Sequence, residues 1–166
     1  MKFAYADPPY LGCGKLYIKD HPEALAWDDP QTHLNLLDKL VNEYPDGWAL
    51  SCNPKDLGLF LSHLPDTVRV GAWCKSFASF KPNVNPAYTW EPVIWDGGRK
   101  KTREDLTTKD HLIEPIQLKK GLTGAKPDRF NRWVLDLLGY QEGDQLDDLF
   151  PGTDGMAATL AQGMLL

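Results

Sequence analysis

Two Asx-Pro pairs, Asp29-Pro30 and Asn53-Pro54, constrain this chain most, because each stands between a short apolar run and a stretch of helical spacing. An Asp or Asn side chain can cap the free N–H groups of a helix start, and a proline in the first turn has no N–H to leave unpaired. Behind Asp29, Leu34, Leu37, Leu40, Val41 and Tyr44 recur at helical intervals until Pro45 stops the run. Behind Asn53, Leu57, Phe60, Leu61 and Leu64 give a second helix one apolar face. The intervening runs are strand-like: residues 2–6, Trp48 to Cys52, Val68 to Trp73 and Thr89 to Trp95. Pro92 inside the last of these predicts an edge strand or a bulge, since a proline cannot donate to a ladder. Further on, Pro127 opens a helix with the stripe Phe130, Trp133, Val134, Leu137 and Leu138, which Gly139 ends. Leu146 to Phe150 reads as a fifth strand before a last short helix through Leu160. Strands and helices in alternation predict an α/β fold with a largely parallel, buried sheet.

With 166 residues, 42% of them hydrophobic, the chain has material for one core, and a single domain over residues 1–166 is expected. No run approaches the ~20 apolar residues of a membrane span, and the N-terminus has no long apolar signal, so a cytoplasmic location is expected. Cys13, Cys52 and Cys74 form no CxxC pair, and His21, His33, His63 and His111 are scattered. These seven read as structural or surface residues, with no metal site.

The first apolar run ends on Asp7-Pro8-Pro9-Tyr10. Open α/β sheets bind ligands beyond the carboxyl ends of their strands, which is where these four residues fall. Their groups suit the exocyclic amine of a nucleic-acid base, a poor nucleophile whose lone pair is delocalised into the ring. The Asp7 carboxylate and an adjacent backbone carbonyl can each accept one N–H, leaving the lone pair free on the third side. Pro8 and Pro9 fix their φ angles and add no competing donor. Tyr10 offers an aromatic face to a base swung out of its stack. On these residues alone, an ordinary Asp-Pro turn is the alternative. Near the other end, Asp148-Leu149-Phe150-Pro151-Gly152-Thr153-Asp154-Gly155 joins a strand to a helix start through a glycine-bearing turn, where bare backbone lets a ligand approach closely.

A net charge of −5 argues against strong autonomous binding to nucleic acid. The positive charge is nevertheless concentrated: Arg99, Lys100, Lys101 and Arg103, then Lys119, Lys120 and Lys126, lie between 99 and 126, while 142–154 is acidic. Such a run is either a solvated loop or a phosphate contact. Residues 96–125 show little periodicity and are expected to form one flexible, nucleic-acid-facing loop. The stretch Lys75 to Tyr88, with Phe77, Phe80 and Lys81, reads either as a packed loop or as a wall of a base pocket and a nucleic-acid contact.

Three elements, Asp7-Pro8-Pro9-Tyr10, then Lys126-Pro127-Asp128-Arg129-Phe130, then Asp148-Leu149-Phe150-Pro151-Gly152, stand in one order that resembles the permuted amino-methyltransferases, in which the catalytic motif precedes the S-adenosylmethionine motif. The resemblance is strongest to small phage-type DNA N6-adenine methyltransferases, with Trp90-Glu91-Pro92-Val93-Ile94 adding to it; cellular N6-adenine RNA methyltransferases share the motif order. It implies a Rossmann-like methyltransferase sheet with circularly permuted motif order, S-adenosylmethionine as methyl donor, and a flipped adenine of DNA as acceptor. Asp7 and the Pro8 carbonyl would hold the amine, Pro9 would complete the motif, and Tyr10 would stack on the base. Asp7, Lys126, Phe130, Asp148, Phe150, Gly152 and Asp154 would meet the cofactor, Lys126 at its carboxylate. Asp rather than Ser at position 7 favours adenine over cytosine in that superfamily.

Two departures stand out. The family's loop is commonly F-x-G-x-G, whereas here Asp154 takes the second glycine's place and Gly155 follows one position later. The two strands that usually follow have no counterpart, so the sheet is expected to be C-terminally shortened, with an exposed edge that invites a homodimer or another partner. RNA or cytosine N4 as acceptor, and a non-catalytic binding relative, remain the alternatives.

Overall fold

A computed structural model describes residues 1–19, 21–77, 82, 84–116, 125–152 and 155–163. The expectations placed on Phe80, Lys81, Lys119, Lys120, Thr153 and Asp154 lie outside these residues. The regular elements are β1 (Lys2–Ala6), α1 (Pro30–Glu43), β2 (Gly47–Ser51), α2 (Leu57–His63), β3 (Arg69–Cys74), β4 (Trp90–Gly97), β5 (His111–Ile113), α3 (Asp128–Leu138), β6 (Gln145–Asp148) and α4 (Gly155–Ala161). Three short 3-10 turns, Gly14–Leu16, Pro22–Asp28 and Pro54–Asp56, precede α1 and α2. Both Asx-Pro pairs act as predicted. Asp29 Oδ1 accepts from the Gln31 N–H at 2.9 Å, and Asn53 Oδ1 from that of Lys55 at 3.1 Å.

The six strands form one sheet in the order β5-β3-β4-β2-β1-β6, with β4 antiparallel to its neighbours β2 and β3 and the other pairings parallel. Strand side chains alternate between faces. Ala4, Ala6, Trp48, Leu50 and Ile94 therefore meet α1 and α2 through Leu36, Leu37, Leu40 and Phe60. Phe3, Tyr5, Ala49, Trp73, Val93 and Trp95 meet α3 and α4 through Phe130, Trp133, Val134, Leu138 and Met156. In α1 the buried stripe includes His33 and Leu36, whereas Val41 is exposed. A polar residue is accommodated there because the His33 ring is satisfied at Nε2 by the Trp27 carbonyl, 2.9 Å away, and stacks on Phe60.

Three expectations are corrected. Pro92 does not mark an edge: β4 lies between β2 and β3. Opposite it on β3, the Ala72 N–H turns away to the Asp110 carbonyl at 3.0 Å, so this is a pair that exchanges no ladder bonds. On its other side Pro92 still accepts from the Cys52 N–H at 3.2 Å, one residue beyond the end of β2. Only one terminal donor is lost. Second, residues 96–125 are not one loop, since β5 pairs with β3 inside them. Third, the strand expected at Leu146 to Phe150 is the sixth and ends at Asp148, where the Phe150 N–H turns back to Asp148 Oδ1 at 3.2 Å. No helix among the described residues is long and apolar enough to cross a membrane.

Candidate active site

The alternation that builds the core also assembles the site. Continued one step past the strand ends, the face carrying Phe3 and Tyr5 carries Asp7 and that of Trp73 carries Lys75, while the face of Val93 and Trp95 carries Glu91 near the start of β4. Because β4 runs antiparallel, its first residues lie at the carboxyl ends of β1 and β3. Asp7, Lys75 and Glu91 thus converge on the α3 side, and Lys126, just before α3, closes over them. β1 is also where the chain switches faces: α1, on one face, follows it towards β2, while β6 on its other flank is reached from α3 on the opposite face. Crevices at such switch points are where open α/β sheets hold ligands.

Lys126 Nζ has three N–H donors and three acceptors around it. It lies 3.2 Å from Asp7 Oδ2, 2.9 Å from Glu91 Oε2 and 3.1 Å from the Tyr10 hydroxyl oxygen. The Tyr10 hydroxyl has a single proton and two carboxylates in reach, Glu91 Oε2 at 2.9 Å and Asp7 Oδ1 at 3.3 Å, so Glu91 is the favoured acceptor. The second oxygen of Glu91 pairs with Lys75. The rings of Tyr10, Trp73 and Phe130 surround the Lys126 ammonium at 5.5 to 5.6 Å from their centroids. Beneath them the Tyr5 hydroxyl is bonded to Ser51 Oγ at 2.9 Å.

The two carboxylates are held differently. Burial pushes Glu91 up, but the ammonium groups of Lys126 and Lys75 outweigh it and bring Glu91 down to about 2. Burial also pushes Asp7 up; Lys126 opposes this and Glu91 adds to it, and the net result is a carboxyl above its ordinary range. Burial works against the charge on Lys126, yet Asp7, Tyr10 and Glu91 together hold its ammonium well above the usual value. Glu91 and Lys126 are the settled ions of the cluster. Asp7 is the acid of the cluster that burial and a neighbouring carboxylate push towards its neutral form, a mark that functional sites often carry.

Asp7, Tyr10, Lys126 and Phe130, which the sequence put forward, stand together in the structure, but the sequence gave no role to Glu91, which is bonded to Tyr10 and Lys126. Its signal was the period-two spacing 91, 93, 95, which puts an acid on a face otherwise occupied by Val93 and Trp95. Tyr17 was missed as well: burial first, and then the charge of Asp7, raise its phenol. Pro8 is buried behind the motif, and Pro9 is half-buried. Lys75 is committed to Glu91 and lies over the Trp73 ring at 5.1 Å, so it is a wall of the cluster rather than a free phosphate contact.

Asp148 pairs with Tyr5 in the β1–β6 ladder and so borders the same crevice. Phe150 turns its ring to Trp27, 4.9 Å away on the α1 side, and Gly152 follows with φ 38°. The basic run is elsewhere. Gly97 pairs with Gly47 at the opposite end of the sheet, so Arg99, Lys100, Lys101 and Arg103 start roughly 25 Å from Asp7, the length of the eight-residue β4. Arg99 is bound to Asp144 at 2.8 Å and to the Gly139 carbonyl at 3.1 Å, and Lys101 to the Leu106 carbonyl and Thr108. Of the two readings of this run, Arg99 and Lys101 are thus already bonded within the fold, away from the Asp7 cluster.

No protein-family profile matches the chain, and no curated protein matches it. Among solved structures, one of the M1.HpyAVI–SAM complex superposes with a TM-score of 0.57 at 16% identity, over 97% of this chain and 78% of that one. A second structure of M1.HpyAVI gives a TM-score of 0.54 at 16% identity, over 96% and 75%. The chain shares that α/β fold. At this identity the likeness speaks for the arrangement of strands and helices, and the chemistry has to be argued from the cluster.

Proposed function

We propose that this protein transfers a methyl group from S-adenosylmethionine to the exocyclic N6 of adenine in DNA, as a methyltransferase of permuted motif order and of the small phage type. One observation carries the reading: Asp7, at the carboxyl end of β1, faces an N–H donor, Lys126 Nζ at 3.2 Å, inside a box of aromatic rings. That is an acceptor of the kind an adenine amine requires, with Tyr10, the half-buried ring of the three, as the face for a base to stack on. The donor set also fits the cofactor. Lys126 suits its carboxylate, and Asp148 borders the same crevice. M1.HpyAVI, of the same fold, was crystallised with SAM. When bound, S-adenosylmethionine supplies the electrophilic methyl.

The chain's own residues do the rest. Asp7, once ionised, accepts one N–H of the amine and the Pro8 carbonyl the other, which localises the nitrogen lone pair. Lys126 releases Asp7 to admit the amine, and Glu91 keeps the ammonium within reach. Tyr10, anchored through its hydroxyl, contributes a fixed ring face.

The test is Asp7→Ala. Losing one positioned acceptor should raise the barrier by on the order of 3 kcal/mol, cutting methyl transfer to DNA roughly a hundredfold or more, with S-adenosylmethionine affinity changed far less. A variant that kept most of the wild-type rate would end this reading of the site.

A further inference from the structure

The turn just after the Asp7 motif stands beside the candidate site, as residues 99–103 do not. There Leu16 is 65% exposed and Ile18 42%, flanked by the exposed Lys15 and Lys19. What sets these two apart from other exposed apolar side chains of the fold is their place beside the Asp7 motif, on a backbone that is firmly held. The Cys13 N–H donates to the Tyr10 carbonyl at 2.8 Å, Leu16 to Cys13 at 3.0 Å, Tyr17 to Gly14 at 3.0 Å and His21 to Tyr17 at 2.9 Å. Gly14 is clamped: its N–H donates to Asp28 Oδ1 at 2.9 Å, and a Cβ there would lie 2.5 Å from the Ala24 carbonyl oxygen. The turn is a braced prong with two aliphatic tips, and Tyr17 between them borders the Asp7 cluster.

We infer that Leu16 and Ile18 form a wedge that enters a DNA duplex beside the target base, with Lys15 and Lys19 on the flanking phosphates. The inference rests on the reading that Asp7 acts on a base in DNA. A base in a duplex cannot reach Asp7 without leaving the stack, and the gap it leaves is filled at least cost by an apolar side chain. Charge selects the partner: the chain carries a net −5, yet this prong presents two lysines astride its apolar tips. That pattern fits a polyanion with a stacked apolar interior.

The experiment compares native and heat-denatured phage DNA lacking methylated bases, with the Leu16→Ser/Ile18→Ser double variant against wild type. Both positions are exposed, so the fold should hold, and calorimetric titration with S-adenosylmethionine checks the cofactor site. Transfer to native DNA should fall about tenfold or more, in keeping with the unstacking a wedge offsets, while transfer to denatured DNA stays within about twofold. Lys15→Gln/Lys19→Gln should weaken binding to both and flatten the salt dependence. An equal loss on both forms, or no loss on either, overturns the wedge. If the wild type methylates neither form, the methyl-transfer reading fails instead. Filter binding of native DNA then decides the wedge: binding lost in the serine variant supports it, and binding absent or unchanged refutes it.

Discussion

At the amino-terminal end of β6, Asp144 accepts from the Met1 ammonium at 2.7 Å, from Arg99 at 2.8 Å and from the Gln141 N–H at 2.9 Å. Burial pushes this acid up, and those bonds more than offset it, holding it at about 2. At the opposite end of the sheet, Asp7 is half-buried and also beside a cation, yet its carboxyl is raised. The difference is in the partners. Among the described residues the Met1 ammonium and Arg99 pair with Asp144 alone, whereas Asp7 shares one ammonium with Glu91, which is served by a second lysine. An acid whose donors agree ties strand ends together. One whose donor is divided can exchange it for a ligand, and that is what a site of chemistry needs.

The sharpest way to break this contrast is Glu91→Ala, which leaves the Lys75 ammonium without its carboxylate and gives the Lys126 ammonium to Asp7 alone. The folded pKa of Glu91 lies below its ordinary value, so its contribution is complete above about pH 5 and is lost as pH falls towards 2. Glu91→Ala should therefore destabilise the fold by about 3 kcal/mol at neutral pH in urea titration, and lower methyl transfer with it. Unchanged stability would mean that the two lysines do not depend on Glu91.

Asp144→Asn should cost somewhat less, about 2 kcal/mol, and the sign is the same: stability present above about pH 4 is lost as the carboxylate is protonated near pH 2. The comparison requires that this variant, measured below its unfolding temperature, transfers methyl at the wild-type rate. A slowed rate would tie the two ends together. The smallest effect belongs to Lys100, Lys101 and Arg103. Their joint replacement by Gln should leave the DNA requirement and its salt dependence nearly unchanged, and a slope reduced by about one or more per contact would return the basic run to the nucleic-acid interface.

What the sequence made legible was contiguous. Asp7 to Tyr10, the capped starts at Asp29 and Asn53, and the stripe of α3 each lie within a few residues, where local sterics decide the outcome. What it hid depended on strand order. Glu91 joins the site only because β4 is inserted, antiparallel, between β2 and β3, and no local pattern announces that insertion. The same pairing makes Pro92 harmless in the middle of a sheet. The tie of Arg99 to Asp144 was hidden because the partner is 45 residues further on. The three residues of β5, two of them exposed, carry too little alternation to be seen without β3 beside them.

The central claim is that the Asp7 end of the sheet methylates an exocyclic amine of DNA. The most direct measurement is mass spectrometry of nucleosides from phage DNA incubated with the protein and S-adenosylmethionine carrying a deuterated methyl group. The prediction is a deuterated methyl on N6 of adenine, present with wild type and absent with Asp7→Ala. Label on cytosine N4 would move the acceptor while keeping the chemistry. Label in no nucleoside of DNA or RNA would contradict the account.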